Sequence, residues 1–440
     1  MEEEFHNHMQ IPWHDYTRKS IGHPITEASL GEKASIIGRT GIMLLSCGTG
    51  AWRVRSSMNT LARELGITCT ADIGLLSIEY TCIDGGNCYS ESLCLFNTGV
   101  NTSKLYRMEQ FVSRFGTNCK KMSGDELHTL LDQIHEIHGF YSPAFLGLAA
   151  AVACCAFTFL LGGGPVEMFC AFLGAGAGNY LRAKMNQQHL TLFLCTASSV
   201  ALACIVYTVA LYGMESFFSI STQHQAGYIC SMLFIIPGFP FITSGIDLAK
   251  LDMRSGLERL TYAIIIIAVA TLSAWMLALV LHLKPMDFLP LGLSQTQKLL
   301  FRLIASFFGV LGFSIMFNSP LKLAATAGFI GAIANTTRLE LVDLASFPPA
   351  AAAFLGALLA GLLASMIKGS IGYPRISLTV PSIVIMVPGL YLYRAIYNIG
   401  ITSINTGAFW FTEAMLIIMA LPLGLIFARI ITDRTFRHCS

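Results

Sequence analysis

Charge is what this sequence has least of. Asp, Glu, Lys and Arg make up 12% of its 440 residues, against 54% hydrophobic; ordinary soluble domains carry about 25% charge. The shortage is uneven: residues 1–140 hold 12 Lys/Arg and 16 Asp/Glu, whereas residues 141–440 hold 16 and 10. A single water-soluble domain is excluded. A nucleic-acid binder is excluded as well, because the net charge is +2 and no basic stretch interleaves with aromatics. The chain has no GxSxG, HExxH or phosphate loop, and the opening MEEEFHNHMQ lacks the apolar core of a secretory signal. None of the 13 Cys forms a CxxC pair. Their scatter through apolar runs fits reduced thiols packed as small apolar side chains. Cys82, Cys88 and Cys94 recur every six residues, a spacing open to a redox or metal hairpin but explained more simply by packing.

Apolar length is what the chain has most of. A helix needs about 20 apolar residues to cross the hydrocarbon core. Ten stretches qualify: 143–163, 165–181, 190–212, 225–246, 259–281, 299–317, 321–337, 347–367, 376–396 and 407–428. With the N-terminal third in the cytoplasm, eleven Lys/Arg of the body fall inside and five outside, so both termini are expected to be cytoplasmic.

The body repeats itself. Spans four and nine each carry a mid-helix Pro-Gly, Pro237-Gly238 and Pro388-Gly389, and from each Pro the Gly opening the next span (Gly256, Gly407) lies 19 residues on. Spans two and seven match as Asn179-x-x-Arg182 and Asn335-x-x-Arg338. Two matches in the same order predict a five-plus-five repeat, inverted because an odd span count returns the second unit from the opposite face. Each Pro removes a helical hydrogen bond, so the carbonyls of Leu233 and Val384 are expected to lose their partners. Such breaks survive where protein or a watery cavity surrounds them. Paired breaks point to a midplane binding site; a structural kink is the plainer alternative.

The polar third reads as an αα-ββ-αα unit. Helices are expected over 34–47, 51–65, 103–115 and 124–138, the last opened by the capping box Ser123-x-x-Glu126. The turn Asp84-Gly85-Gly86-Asn87 joins a strand over 69–83 to one over 88–97. Asp125, His128, Asp132 and His135 fall on one face of the last helix, with His138 continuing it. Their types suit a metal, but a solvated amphipathic face looks the same, and no metal or cofactor is expected. Gly48-x-Gly50 reads as a helix junction. The organisation is therefore a flexible tail (1–30), a cytoplasmic α+β domain (31–140), repeat one (141–285), repeat two (296–431) and a short tail (432–440).

Three stretches carry a family resemblance: GRTGIMLLSCGTGAWRVRSSMNTLARELGI, IIPGFPFITSGIDLAKLDMRSGLERL and VPSIVIMVPGLYLYRAIYN. In these the chain resembles the threonine/serine exporter family from about residue 35 to about 430. The resemblance implies a cytoplasmic N-terminal domain, ten spans in the cell membrane, and export of threonine and serine driven by the proton motive force. Related two-component systems split the polypeptide and export succinate.

A zwitterion needs a partner for its carboxylate and another for its ammonium. Half-helix N-termini after the breaks offer the first and freed carbonyls the second. The expected substrate-binding residues are Pro237, Gly238, Thr243, Ser244, Pro388, Gly389, Tyr391, Asn179 and Asn335, whose polar members also fit helix–helix hydrogen bonds. Proton coupling calls for an acid inside the membrane. Glu167, Asp247, Glu258 and Glu413 are candidates, and Asp247 and Glu413 are the expected pair. Arg182 and Arg338 are expected at the ends of the pathway, gating or contacting an anion, against the commoner role of headgroup anchors. The partners so implied are a small-molecule substrate, protons and the bilayer, with a homo-oligomer left open. A dicarboxylate exporter, a channel and a membrane-tethered enzyme are the competing readings.

Overall fold

Polar caps set the helices of the N-terminal third. In a computed structural model, which describes residues 11–17, 22–137, 139–218, 222–283, 287–401 and 403–437, the Ser29 hydroxyl accepts the Glu32 N–H and opens α1 (Leu30–Ser46). Helix α2 (Ala51–Glu64) follows the Gly48–Gly50 junction. An antiparallel sheet comes next, ordered β1 (Thr68–Ile73), β2 (Ser77–Asp84) and β3 (Asn87–Cys94). The single strand expected over 69–83 is thus two. The chain reverses at 74–76, where the Gly74 N–H donates to the Ser77 carbonyl at 2.8 Å, a turn that the period-two alternation conceals. Gly85 and Gly86 sit at φ +54° and +92° and close the β2–β3 hairpin, as primed turns require. Helices α3 (Thr102–Arg114) and α4 (Gly124–His135) complete the unit, α4 with both bonds of the Ser123/Glu126 capping box.

The acidic, His-bearing face of α4 is spent on internal pairing. His128 is buried, its Nε2 3.1 Å from the Ser35 hydroxyl and its Nδ1 3.2 Å from the Arg39 guanidinium. Asp132 pairs with Arg39 and with His14, and Asp125 with His14. His14 and Trp13, which stacks on His128, come from the stretch read as a flexible tail. His138 lies outside the described residues. The six-spaced cysteines do not converge: Cys82 faces Cys69 and Tyr89, while Cys88 faces Ile83 and Cys94 faces Ser77.

The chain forms two units, Met1–Gly139 with Asp247–Arg259, and Phe140–Ile246 with Leu260–Ser440. The second is helical, and α9 and α10 run into it from the Asp247–Arg259 segment. In order its helices are α5 (Pro143–Leu160), α6 (Pro165–Gln187), α7 (Leu192–Phe218), α8 (Tyr228–Ser231), α9 (Gly238–Ala249) and α10 (Met253–Val280). There follow α11 (Gln295–Met316), α12 (Leu321–Ala345), α13 (Pro349–Ile371), α14 (Arg375–Val384), α15 (Gly389–Ile401) and α16 (Ile404–Thr432). Helix α5 packs on α6 and α11, α6 on α7, and α13 on α16.

Among the described residues six helices are long and apolar enough to cross a membrane, and eight if each of two bent pairs counts as one. The bent pairs are His224–Ile235 with Gly238–Ala249, at 55°, and Arg375–Val384 with Gly389–Ile401, at 46°. Eight of the ten stretches expected from sequence meet this test; the other two are α6 and α12. Helices α6 and α12 have 23 and 25 residues but are too polar, carrying Glu167, Arg182 and Lys184 in one and Lys322, Arg338, Glu340 and Asp343 in the other.

Candidate substrate site at the second helix break

The two Pro-Gly breaks are alike bond for bond. Before each Pro the chain tightens into three-residue turns: Ile235 N–H to Met232 O and Ile236 N–H to Leu233 O in the first, Met386 N–H to Ile383 O and Val387 N–H to Val384 O in the second. After each Pro, the Gly N–H folds back onto the residue before it, Gly238 to Ile236 O at 2.8 Å and Gly389 to Val387 O at 2.9 Å. The carbonyls of Leu233 and Val384, expected to be free, are thus satisfied. The tightened turns of a 3₁₀ segment recover acceptors that the Pro leaves behind.

The breaks also lie against each other. A Cβ on Gly238 would meet the Val384 and Val387 methyls at 3.0 and 3.3 Å, and a Cβ on Gly389 would overlap Ile236. Each glycine therefore admits the other segment. The hydroxyls of Tyr228 on α8 and Tyr393 on α15 hydrogen-bond across the same crossing.

Beside the second break lies a cavity of about 710 Å³, walled by Met386 to Tyr391, the 287–293 loop and four cations. Arg302 is answered by Glu340 at 2.7 Å and Asp343 at 2.5 Å, and Arg394 by Asp287 at 2.8 Å. Arg394 also lies over the Trp410 ring, 4.9 Å from its centroid, and Tyr391 meets the same ring edge-on. Arg338 differs. Its Nη1 donates to the Met386 carbonyl at 3.3 Å, its Nε is buried without a partner, and no carboxylate lies within ion-pair reach among the described residues. Lys298 likewise has no acid beside it there. Helix α15 begins at Gly389 in the same wall; its Gly389 and Leu392 N–H groups are taken by the Val387 and Pro388 carbonyls, but this end remains the positive pole of the helix. The arrangement suits an anion.

The residues expected at a substrate site divide between this cavity and the packing. Pro388, Gly389, Tyr391 and Arg338 line it. Pro237 and Gly238 form the opposite break. Thr243 bonds the Phe239 carbonyl of its own helix, and Ser244 is buried. Asn179 donates to Leu146 O on α5 and Asn335 to Ser306 on α11, the helix–helix role. Arg182 is at the far end of α6. Glu413 is half-buried on α16 with no partner among the described residues. Asp247 belongs to the other unit, in an ion pair with Arg259. Arg302, Arg394 and Lys298 were missed as site residues; sequence offered them only as flanking charges.

Two family models match most of the chain. One, described as "Putative threonine/serine exporter", matches residues 35–282, and the other, "Threonine/Serine exporter, ThrE", matches residues 302–431. The chain belongs to the threonine/serine exporter family. It is thus a multi-pass transporter, and the membrane-tethered enzyme gives way. The first model ends two residues past α10, and the second begins within α11. A curated relative, "Probable succinate transporter subunit YjjP" of Escherichia coli (strain K12), is 25% identical over 244 residues, 53% of this chain and 91% of that protein. No solved structure matches.

Proposed function

We propose that the chain exports threonine and serine across the cell membrane, driven by the proton motive force, through ten spans forming an inverted five-plus-five repeat with both termini cytoplasmic. The matched breaks support the repeat. Helices α6 and α12 take their place as the two polar spans, the kind tolerated where the polar groups face protein or a cavity.

Arg338 carries the reading. A guanidinium in the wall of a cavity, without a carboxylate of its own, offers a substrate carboxylate a charge-assisted fork. The first turn of α15 reinforces it. The Met386 carbonyl and the Tyr391 hydroxyl stand in the same wall as acceptors for an ammonium.

A second reading, a dicarboxylate substrate, is favoured by Lys298 as a second unanswered cation and by the name of the curated relative. Proteoliposomes loaded with labelled threonine, serine or succinate test both. Efflux of the hydroxylated amino acids under a pH gradient, lost in Arg338→Gln, supports the first. Movement of succinate alone replaces it with the second, and movement of none refutes both.

A further inference from the structure

Glu167 and His224 make a carboxylate–imidazole pair inside the helical unit, Oε1 to Nδ1 at 2.7 Å, with 2% and 15% of their side-chain surfaces exposed. Glu167 sits in the first turn of α6, where its other oxygen accepts the Gly164 N–H at 3.0 Å. His224 opens the bent pair that leads through Tyr228 to the first break, and its carbonyl accepts the Tyr207 hydroxyl of α7 at 2.6 Å. No Lys or Arg lies within ion-pair reach of the carboxylate among the described residues. The titratable groups facing it are Cys170 on α6, Tyr207 on α7 and Cys230 on α8.

We propose that the Glu167–His224 pair is the proton-binding site coupled to the cavity, in place of Asp247 and Glu413. The inference rests on the transport reading above. One proton adds to the pair: with imidazole neutral, Nδ1–H donates to the carboxylate, and uptake places the new N–H bond on Nε2. No electrons move. A buried carboxylate tolerates charge poorly, so the pair exchanges between a net negative and a neutral form as access to water changes.

Two contacts tie this change to the substrate cavity. The Gly164 N–H that Glu167 holds ends the short loop whose Leu161 and Gly162 line the cavity. A Cβ on Gly164 would lie 3.2 Å from Leu291, itself a cavity residue. On the other side, His224 is four residues before Tyr228, whose hydroxyl bonds Tyr393 between the cavity residues Tyr391 and Arg394. Protonating the pair therefore changes its hold on both the loop and the crossing that shape the wall.

The full chain in proteoliposomes tests this with Glu167→Gln, whose amide oxygen still accepts the Gly164 N–H and whose amide N–H can donate to the unprotonated Nδ1 of His224 while the negative charge is removed, and with His224→Asn. The expected result is loss of gradient-driven, uphill efflux with substrate exchange at equilibrium retained. Uphill efflux that survives in Glu167→Gln overturns the proposal, as does equal loss of exchange, the mark of a purely structural cap. A second readout needs no transport: infrared difference spectra of the purified protein between acid and alkaline buffer follow the imidazole ring modes of His224 and the carboxylate stretch of Glu167 directly. A protonation signal lost in His224→Asn and altered in Glu167→Gln supports the proposal even where the substrate assignment fails. Spectra unchanged by both substitutions sink it.

Discussion

The Asp247 carboxylate accepts the backbone N–H of Ala51 at 3.2 Å, although 196 positions separate them. Helix α2 begins after Gly50, which has no side chain to cap it, and a Cβ there would lie 2.5 Å from Asp247 Oδ1. The distant carboxylate takes the cap's place at the positive end of the helix. Arg259 completes the clasp: its Nε lies 3.2 Å from Asp247, and its other nitrogens donate to the Gly48 and Thr49 carbonyls. Arg55 with Asp252, Arg254 with Asp72, and the Leu75 N–H with Glu258 extend it. Glu258, one of the candidate proton acids, is thus occupied in the N-terminal unit.

Removing Asp247 leaves Arg259 buried without its counter-charge. Breaking a buried pair from one side costs about 3–5 kcal/mol. Asp247→Ala is therefore expected to melt the N-terminal unit of the full chain at lower temperature and to open residues 34–64 to protease. Asp247→Asn keeps an acceptor for Ala51 and is expected to fall between the two. Equal melting of all three proteins refutes the clasp.

The reciprocal packing of the breaks predicts a compensated pair of substitutions. Gly389→Ala places a methyl where Ile236 already stands, and overpacking of this kind costs about 1–3 kcal/mol. Ile236→Ala makes room. Thermal stability in detergent is expected to drop for Gly389→Ala and to be partly restored in the double variant, giving a coupling energy of about 0.5–3 kcal/mol. Additive effects contradict the contact.

These relationships explain which parts of the structure are legible in sequence. The breaks were, because Pro and Gly act on their own few residues of backbone. The capping box at Ser123 was, for the same reason. The clasp was not: nothing near Ala51 tells that its cap comes from Asp247. Glu167 was visible as an acid in a span, but His224 lay in a polar connection, and 57 positions separate the partners. The turn at Gly74 disappeared into an unbroken alternation. The cavity was half-legible. Arg338 stood out through its match with Arg182, whereas Arg394 and Arg302 acquire their meaning from Asp287, Glu340 and Asp343, which only the fold brings to them.

The N-terminal unit carries its own acid sensitivity. Burial above all, and then the Arg39 charge, hold His128 down to about 3 from the usual 6.5. The unfolded chain therefore binds a proton below about pH 6.5 that the folded chain refuses, and stability falls by about 1.4 kcal/mol per pH unit as the medium is acidified. His14 acts the other way. Hydrogen bonds to Asp132 and then Asp125 raise its pKa, so its contribution is present below 6.5 and fades as pH rises through the raised value; half-exposed, it counts for less. Protease resistance of residues 22–137 in the full chain is expected to decline from pH 6.5 toward 4. In His128→Asn that decline should flatten; an unchanged slope rules His128 out as its source.

On the proposed site, Arg338 and Lys298 discriminate between anions. A hydrogen bond to a charged group contributes about 1.5–3 kcal/mol, so Arg338→Gln is expected to weaken the apparent affinity for any carboxylate substrate about ten- to a hundredfold. Arg338→Lys keeps the charge and loses the fork, and should fall between. Lys298→Gln separates the substrates. A dianion uses the second cation, so succinate binding should weaken with Lys298→Gln as well as with Arg338→Gln. A zwitterion has one carboxylate, already held by Arg338, and its ammonium is repelled by a lysine nearby; threonine binding should then be unchanged or slightly tighter. Substrate-dependent quenching of Trp410, whose ring lies against Tyr391 and Arg394, reports binding without transport. Affinities that ignore Arg338 altogether would place the substrate outside this cavity.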